Sequence, residues 1–597
     1  VTDGAYEVYL GEPGDQAFAV LHPARGSSRV AVVFCPPFGW EEITSYRVRR
    51  GWAEHLARGG VTCLRLTLPA TGDSGGDPRA PQRVRAWTTA IDEAARHLRS
   101  EAHAEMVVAL GLGLGGLLAC RAAADSRGLD GAVLWAAPAR GADAVRQLRA
   151  FGRLERSTFW TDGQPRSALR DGEIEAGGFM LSGETRTDLE ALDVEHLELA
   201  GAMPEGALLL DRDGIAVDER WVDALQRAGI PCERAPGEGY ADMTSHPQTA
   251  QMPAHVVDTV DRWLSQRVTA APRRRAEPPP APVPAADELR LAPDGRSREV
   301  PLTVVVDGVA LRGIQTISDQ ARTDLVVVFL NAGAQRRVGP NRMWVEASRR
   351  WAAWGVSSVR LDVEGIGDSD GGLTPYRANR ALNSFDRVDQ VVGAVRELRA
   401  LGVGDRFMLV GLCGGAYWAF HSLIREPSVC AAVPINPYAI IWSDELAPSR
   451  DLRRIFTDRS WALVRKNATR ERMRALARWL VMTPARWSRS LPGLRGRPTA
   501  QPTEAELLDR VMASDKRLTF IFSEREPLLA EFRRTGRLTE FARTPHVVVH
   551  SLAVNDHTLR PSWAQEEVHR LLDDALIQEL AEAPDGGVLT APGSRSL

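Results

Sequence analysis

The chain of 597 residues carries one arrangement of short motifs twice. Gly60 and Gly355 each close a helical stretch, Arg65-Leu66-Thr67 corresponds to Arg360-Leu361-Asp362, and Gly72-Asp73-Ser74 corresponds to Gly367-Asp368-Ser369. All of these pairs lie 295 residues apart (60 to 355, 65 to 360, 72 to 367). The apolar runs at 30–35 and 325–330 keep the same offset. Before them come paired strand-like runs, 6–10 with 17–21 and 300–306 with 309–317. Further on, Gly111-Leu112-Gly113-Leu114-Gly115 and Gly411-Leu412-Cys413-Gly414-Gly415 lie 300 apart, so five residues enter between the two blocks. A register held over this length marks a duplicated domain. Each copy alternates buried strands with helical segments, the pattern of a mostly parallel sheet covered on both faces.

Residues 271–286, APRRRAEPPPAPVPAA, separate the copies. Pro and Ala at this density favour extended polyproline II and build no core, so the segment reads as a linker. The expected division is a first domain at 1–267, a linker at 268–286 and a second domain at 287–597. A hydrophobic fraction of 44% and a charged fraction of 25% suit a soluble globular protein. A net charge of -3 gives no basis for nucleic-acid binding. No apolar run is long enough for a bilayer span, and residues 1–10 do not resemble a signal peptide. None of the six cysteines forms a C-x-x-C pair, which argues against a zinc site or a disulfide framework. The expectation is a cytoplasmic enzyme with no metal and no cofactor. Gly111, Gly113 and Gly116 also fit a G-x-G-x-x-G fingerprint, but the register of the repeat explains them better.

Residues 407–420, FMLVGLCGGAYWAF, read as strand, tight turn and helix. That is the setting of a nucleophile elbow, G-x-S-x-G, with Cys413 in the serine position. Side chains at Gly411 or Gly415 would collide with the neighbouring strand or helix. A buried thiol beside a glycine-rich turn is the plainer alternative; the strand-to-helix setting favours a nucleophile.

With an elbow in each copy, the chain resembles tandem α/β-hydrolases over nearly its whole length. The second copy is similar to a subgroup whose loop reads N-x-G followed by R-x-G-P-x-R, here from Asn331 to Arg342, and whose G-x-G-D-S turn is Gly365 to Ser369. Cysteine variants of this fold include thioesterases and Dieckmann-type cyclases, which act on acyl thioesters in polyketide and peptide-type pathways. The resemblance implies two α/β-hydrolase domains, each a mostly parallel sheet flanked by helices. It also implies a helical cap, at about 440–515 in the second copy.

An α/β-hydrolase delivers its groups in the order nucleophile, acid, histidine. After Cys413 the histidines are His421, His546, His550, His557 and His569. His421 falls in the helix after the elbow and cannot reach around to the thiol. His557 follows a strand-like run and precedes a helix near Pro561, where the fold puts its base. The acid belongs at the end of the run 518–522; the resemblance implies Glu526, directly before Pro527, with Glu524 as the alternative. Asn436 is a supporting candidate able to orient a histidine by hydrogen bonding. The oxyanion hole would draw N–H groups from Gly414 and from the loop of Asn331, Ala332 and Gly333. Asp368 matches Asp73 in a copy without a site, so both are expected to shape turns.

The first copy has Gly113 at the nucleophile position and Met243 where His557 stands, and neither can do the chemistry. His246 reads as a surface histidine, and Asp211 and Asp213 have no histidine to orient. Residues 450–497 hold fourteen Lys or Arg and three acids, whereas residues 151–200 hold eleven acids and five arginines. These charges would steer the two copies together, receive a carrier protein or a CoA tail on the basic cap, or form solvated faces. The resulting expectation is Cys-dependent acyl transfer from a thioester carried on an acyl carrier protein or CoA. A hydrolytic editing thioesterase or esterase is the enzymatic alternative. A non-catalytic tandem scaffold that binds carrier proteins is the alternative of another class.

Overall fold

The computed structural model describes residues 4–26, 29–159, 169–270, 283–291, 296–321, 323–372, 376, 379–442 and 502–581. The first half contributes strands β1 (Tyr6–Leu10), β2 (Ala17–His22), β3 (Val30–Cys35), β4 (Thr62–Leu66), β5 (Met106–Leu112) and β6 (Gly131–Trp135). A small hairpin follows, β7 (Ile174–Ala176) and β8 (Phe179–Leu181), then β9 (Gly206–Leu210) and β10 (Cys232–Ala235). After β11 (Ala285–Ala286) the second half contributes β12 (Leu289–Arg290), β13 (Ser297–Val306), β14 (Val309–Ser318), β15 (Leu325–Ala332) and β16 (Ser357–Leu361). It continues with β17 (Arg406–Leu412), β18 (Val429–Ile435), β19 (Arg517–Ser523) and β20 (Val547–Leu552).

These strands form two nine-stranded sheets, β10-β9-β6-β5-β3-β4-β2-β1-β11 and β12-β13-β14-β16-β15-β17-β18-β19-β20. Read from opposite ends, their eight main strands follow one order. In each, the first two strands pair antiparallel, the second is also antiparallel to its inner neighbour, and the main sheet is parallel from that third strand onward. This is the α/β-hydrolase fold, written twice. Strand side chains alternate between faces, and the cores follow that alternation. Val326, Val328 and Leu330 enter one buried cluster, while Leu325, Val327 and Phe329 enter the other. Ala31, Val33 and Cys35 are divided from Val30, Val32 and Phe34 in the same way.

Two boundaries differ from the sequence reading. The last helix of the first half runs Ala254–Ala270, past residue 267. The end of the expected linker is a strand: Ala285 and Ala286 pair with Leu10 and Tyr9, so this segment extends the first sheet by backbone hydrogen bonding. The Pro-rich part at 271–282 and most of the cap, 443–501 with its arginines and Trp461, Trp479 and Trp487, lie outside the described residues. So do residues 160–168 of the acidic stretch. A helix at Glu504–Met512, closed by a Thr503 and Glu506 capping box, leads back into β19.

The halves meet through buried charge arranged in a pseudo-two-fold way. Arg65 of β4 reaches Asp368 at 2.5 Å, and the corresponding Arg360 of β16 reaches Asp73 at 3.1 Å. Such reciprocal pairing is the signature of an isologous contact. The turns expected only to shape the backbone therefore send their carboxylates into the opposite half. Arg337 lies between Asp73, Asp362 and Asp368 at 3.2, 2.9 and 2.9 Å, and Tyr46 donates to Asp368 at 2.8 Å. Arg342 donates to the carbonyls of Ala70, Gly72 and Ser74, and Arg50 to those of Gly367 and Ser369. Tyr9, Phe18, Val20, Leu289 and Ile314 supply an apolar cluster beside these charges.

Candidate active site

β17 ends at Leu412, Cys413 takes φ 57° and ψ -112°, and the Gly414–Arg425 helix begins at once. The left-handed turn at Cys413 is strained for a residue with a Cβ and needs packing to hold it. The Cys413 N–H donates to the Ile435 carbonyl at 3.0 Å. A Cβ on Gly411 would stand 2.2 Å from the Gly415 carbonyl oxygen, and one on Gly415 2.2 Å from that of Asn331. Bare backbone at both places lets strand, helix and the end of β15 close around the thiol, which is left partly exposed.

His557 lies on the loop after β20, before the Ser562–Ala581 helix. Its Nδ1 stands 2.9 Å from Oε1 of Glu526, and Cys413 is the leading charge partner acting to raise its pKa. Glu526 is buried at the N-cap of the Pro527–Thr535 helix, where Pro527 fixes the first helical φ. Glu524 is exposed, two residues earlier. The carboxylate brought to the imidazole is thus Glu526. Burial acts to lower the His557 pKa, but its interactions with Cys413 and Glu526 outweigh it. The imidazolium is held well above its ordinary range.

The other thiols sit in different surroundings. Cys35, Cys63 and Cys120 are buried; burial raises all three and pushes Cys120 to about 12. Cys430 is also pushed up to about 12, chiefly by burial.

Gly414 opens its helix, and the first N–H groups of a helix have no intrahelical acceptor. Asn331 and Ala332 complete β15, and the turn follows them: the Gln335 N–H donates to the Ala332 carbonyl around Gly333, whose φ is +58°. The Asn331 side chain is committed to the scaffold. Its Nδ2 donates to the Gln335 carbonyl and to Asp362, and its Oδ1 accepts from the Val363 N–H.

The hydrogen bonds of the Asn436 side chain go to the loop backbone and to Ser523. Its Nδ2 donates to the backbone carbonyl of His557 at 2.8 Å and to Ser523 Oγ, and its Oδ1 accepts from the Ser523 N–H. It ties the ends of β18 and β19 to the histidine loop, so its orienting action is on the loop. His421 is buried against Tyr417 and Phe385, contacts the Ile440 carbonyl at 2.8 Å, and is lowered to about 4 by burial.

In the first half the elbow backbone recurs at Gly113, with φ 52° and ψ -128°. A Cβ there would meet Tyr240 Oη at 2.8 Å and Glu41 Oε2 at 3.1 Å. Tyr240 donates to Glu41 at 2.8 Å, and Arg212 lies over the Tyr240 ring. Met243 is fully buried, His246 is exposed, and Asp213 accepts the N–H groups of Gly239, Tyr240 and Ala241.

Residues 32–308 match the model of the Alpha/beta hydrolase family. Among solved structures, Est1E from Butyrivibrio proteoclasticus is 17% identical over 44% of this chain and 99% of its own, with a TM-score of 0.32. An esterase from Pyrococcus furiosus is 16% identical over 47% of this chain and 91% of its own, TM-score 0.29. An epoxide hydrolase from Vigna radiata is 14% identical over 47% and 98%, TM-score 0.28. Among curated proteins none matches the sequence. Among the described residues no helix is long and apolar enough to cross a membrane, and no group of His, Cys, Asp and Glu is arranged to hold a metal ion.

Sequence reasoning missed the residues that shape the histidine loop. Asp556 accepts the N–H groups of Thr558 and Arg560 and pairs with Arg560 Nε at 2.9 Å. The available signal was Asp556 itself, whose spacing to Thr558 and Arg560 is that of a side chain folding back on its own turn.

Proposed function

We propose that the second half is a cysteine-dependent acyl transferase acting on acyl thioesters. The observation that carries this reading is His557, held by Glu526 on Nδ1 and coupled electrostatically to Cys413 at a strained elbow. A carboxylate on one ring nitrogen leaves the other to serve the nucleophile.

In the proposed reaction the Cys413 thiolate adds to the thioester carbonyl carbon. The oxyanion receives N–H donors from Gly414 and the Gly333 turn. Collapse breaks the bond to the carrier sulfur, and the imidazolium of His557 gives that sulfur its proton. Neutral His557 then removes a proton from the second nucleophile, which attacks the acyl-cysteine and releases the Cys413 thiolate. The acyl-cysteine is itself a thioester, so oxygen, nitrogen or carbon can accept the acyl group. This favours transfer or cyclisation over simple hydrolysis. An acyl carrier protein or CoA is the proposed donor.

Incubation with a small acyl thioester followed by intact-mass measurement tests the proposal. An acyl mass on the wild type, mapped to Cys413 and missing from Cys413→Ala, is expected. Release of free acid alone would favour a hydrolytic thioesterase, and no acyl mass with no turnover would favour a binding scaffold.

A further inference from the structure

We infer that the first half positions the base of the second: Glu155 and the Gly177-Gly178 turn hold the loop that carries His557. This rests on the reading of His557 as the partner of Cys413.

The loop from Asp556 to Pro561 turns back on itself, with Leu559 at φ 56°. Its outward side chain, Arg560, is gripped by the first half. Glu155 Oε1 pairs with Arg560 Nη1 at 3.0 Å, and the guanidinium lies 5.4 Å from the Trp40 ring. The other oxygen of Glu155 accepts the Gly177 N–H, which ties the β7–β8 hairpin to the same carboxylate. Beside it, Glu175 accepts the Ser562 N–H at 2.6 Å, where the last helix begins. A Cβ on Gly178, which has φ +80°, would stand 2.2 Å from the Arg560 carbonyl oxygen, 2.0 Å from Asn341 Nδ2 and 2.6 Å from Gln565 Nε2. Glycine therefore permits backbone of one half to lie on the histidine loop of the other. The crevice left among Gly152, Glu155, Gly178, Asp556 and Arg560 is only about 20 Å³.

Arg560 joins this grip to the base. It also pairs with Asp556, whose carboxylate organises the loop, and Asp556 precedes His557 directly. Glu155 faces Arg560, Asp556 and Glu175, with Arg156 lining the same crevice. Burial raises its carboxyl to about 7, with Arg560 opposing. The grip is accordingly strongest where Glu155 is ionised, above neutrality.

The test compares wild type, Glu155→Gln and Gly178→Ala for kcat, KM and the pH profile of Cys413 alkylation by iodoacetamide. Glu155→Gln should match wild type near pH 6. Above pH 8 it should show kcat about fivefold lower, little change in KM, and a shifted alkylation midpoint, since small misplacements of a reacting group are costly. Gly178→Ala should lower kcat at every pH. If the wild-type thiol shows a perturbed profile that neither variant moves, and kcat is also unmoved, this inference fails alone. An unperturbed wild-type thiol would overturn both it and the proposed function.

Discussion

Gly113 and Cys413 occupy the same backbone turn with different contents. Their φ and ψ values are 52° and -128° against 57° and -112°. Each N–H donates to the strand next door, Gly113 to Trp135 and Cys413 to Ile435. The space above Cys413 receives an imidazole, whereas the space above Gly113 is filled by Tyr240 and Glu41. The comparison separates two causes that usually act together. The strained turn is imposed by strand-to-helix packing and survives without a nucleophile; reactivity requires a base delivered from a distant loop.

The sharpest way to break the comparison is Cys413→Ala. Turnover should fall by at least about a thousandfold with the melting temperature nearly unchanged, because the turn tolerates a small residue. Wild-type rates would mean that the two elbows are equally inert.

The interface tests the symmetry of the halves rather than their difference. Asp368→Ala and Asp73→Ala each strip a carboxylate from buried arginines and should each cost about 3–5 kcal/mol in urea unfolding. A large cost for one and a negligible cost for the other would show that the pseudo-two-fold pairing is not energetically reciprocal.

These carboxylates also set an acid limit. Burial would raise Glu299, but Arg349 and Arg360 more than reverse it and hold it at about 2. Asp368 is held well below its ordinary range, since Arg65 and Arg337 outweigh its burial. Both pKa values are depressed on folding, so their stabilisation is present above the unfolded values and is lost as pH falls. Melting temperature should drop between pH 4.5 and about 2, the window set by Glu299. The slope should shrink in Asp368→Ala; an equal slope would place the acid-sensitive groups elsewhere.

Within the second half, Glu526→Gln should lower kcat by about a hundredfold, since the amide cannot support the imidazolium. Glu524→Gln should leave it near wild type, and steady-state kinetics on the pair ranks them. The smallest effect belongs to Gly113→Ser in a Cys413→Ala background. No activity should return, because the new Cβ meets Tyr240 and Glu41 and Met243 cannot take a proton. Recovered turnover would make the first site a silenced enzyme that one side chain reawakens.

Much of the fold was legible because its signals are local. The run 30–35 emerged as β3 with the same ends, and the elbow glycines announced a close approach that only bare backbone allows. The carboxylate that meets His557 was harder to read. Glu524 and Glu526 stand at one strand end, and the turn from Ser523 to Glu526 decides which side chain faces inward. For Asn436, the residue was legible and its partner was not: it binds the backbone of His557, 121 residues away.

The sequence by itself determined two hydrolase-like sheets, a cysteine at one elbow and a glycine at the other, because periodicity and turn chemistry are written in neighbouring residues. The tertiary structure decided what those parts are joined to. Arg65 finds Asp368 across 303 positions and Glu155 finds Arg560 in the opposite half. A buried charge demands a partner, but nothing in its neighbours says which. Only the docking of the two sheets chose these pairs, and with them the surface on which the histidine loop rests.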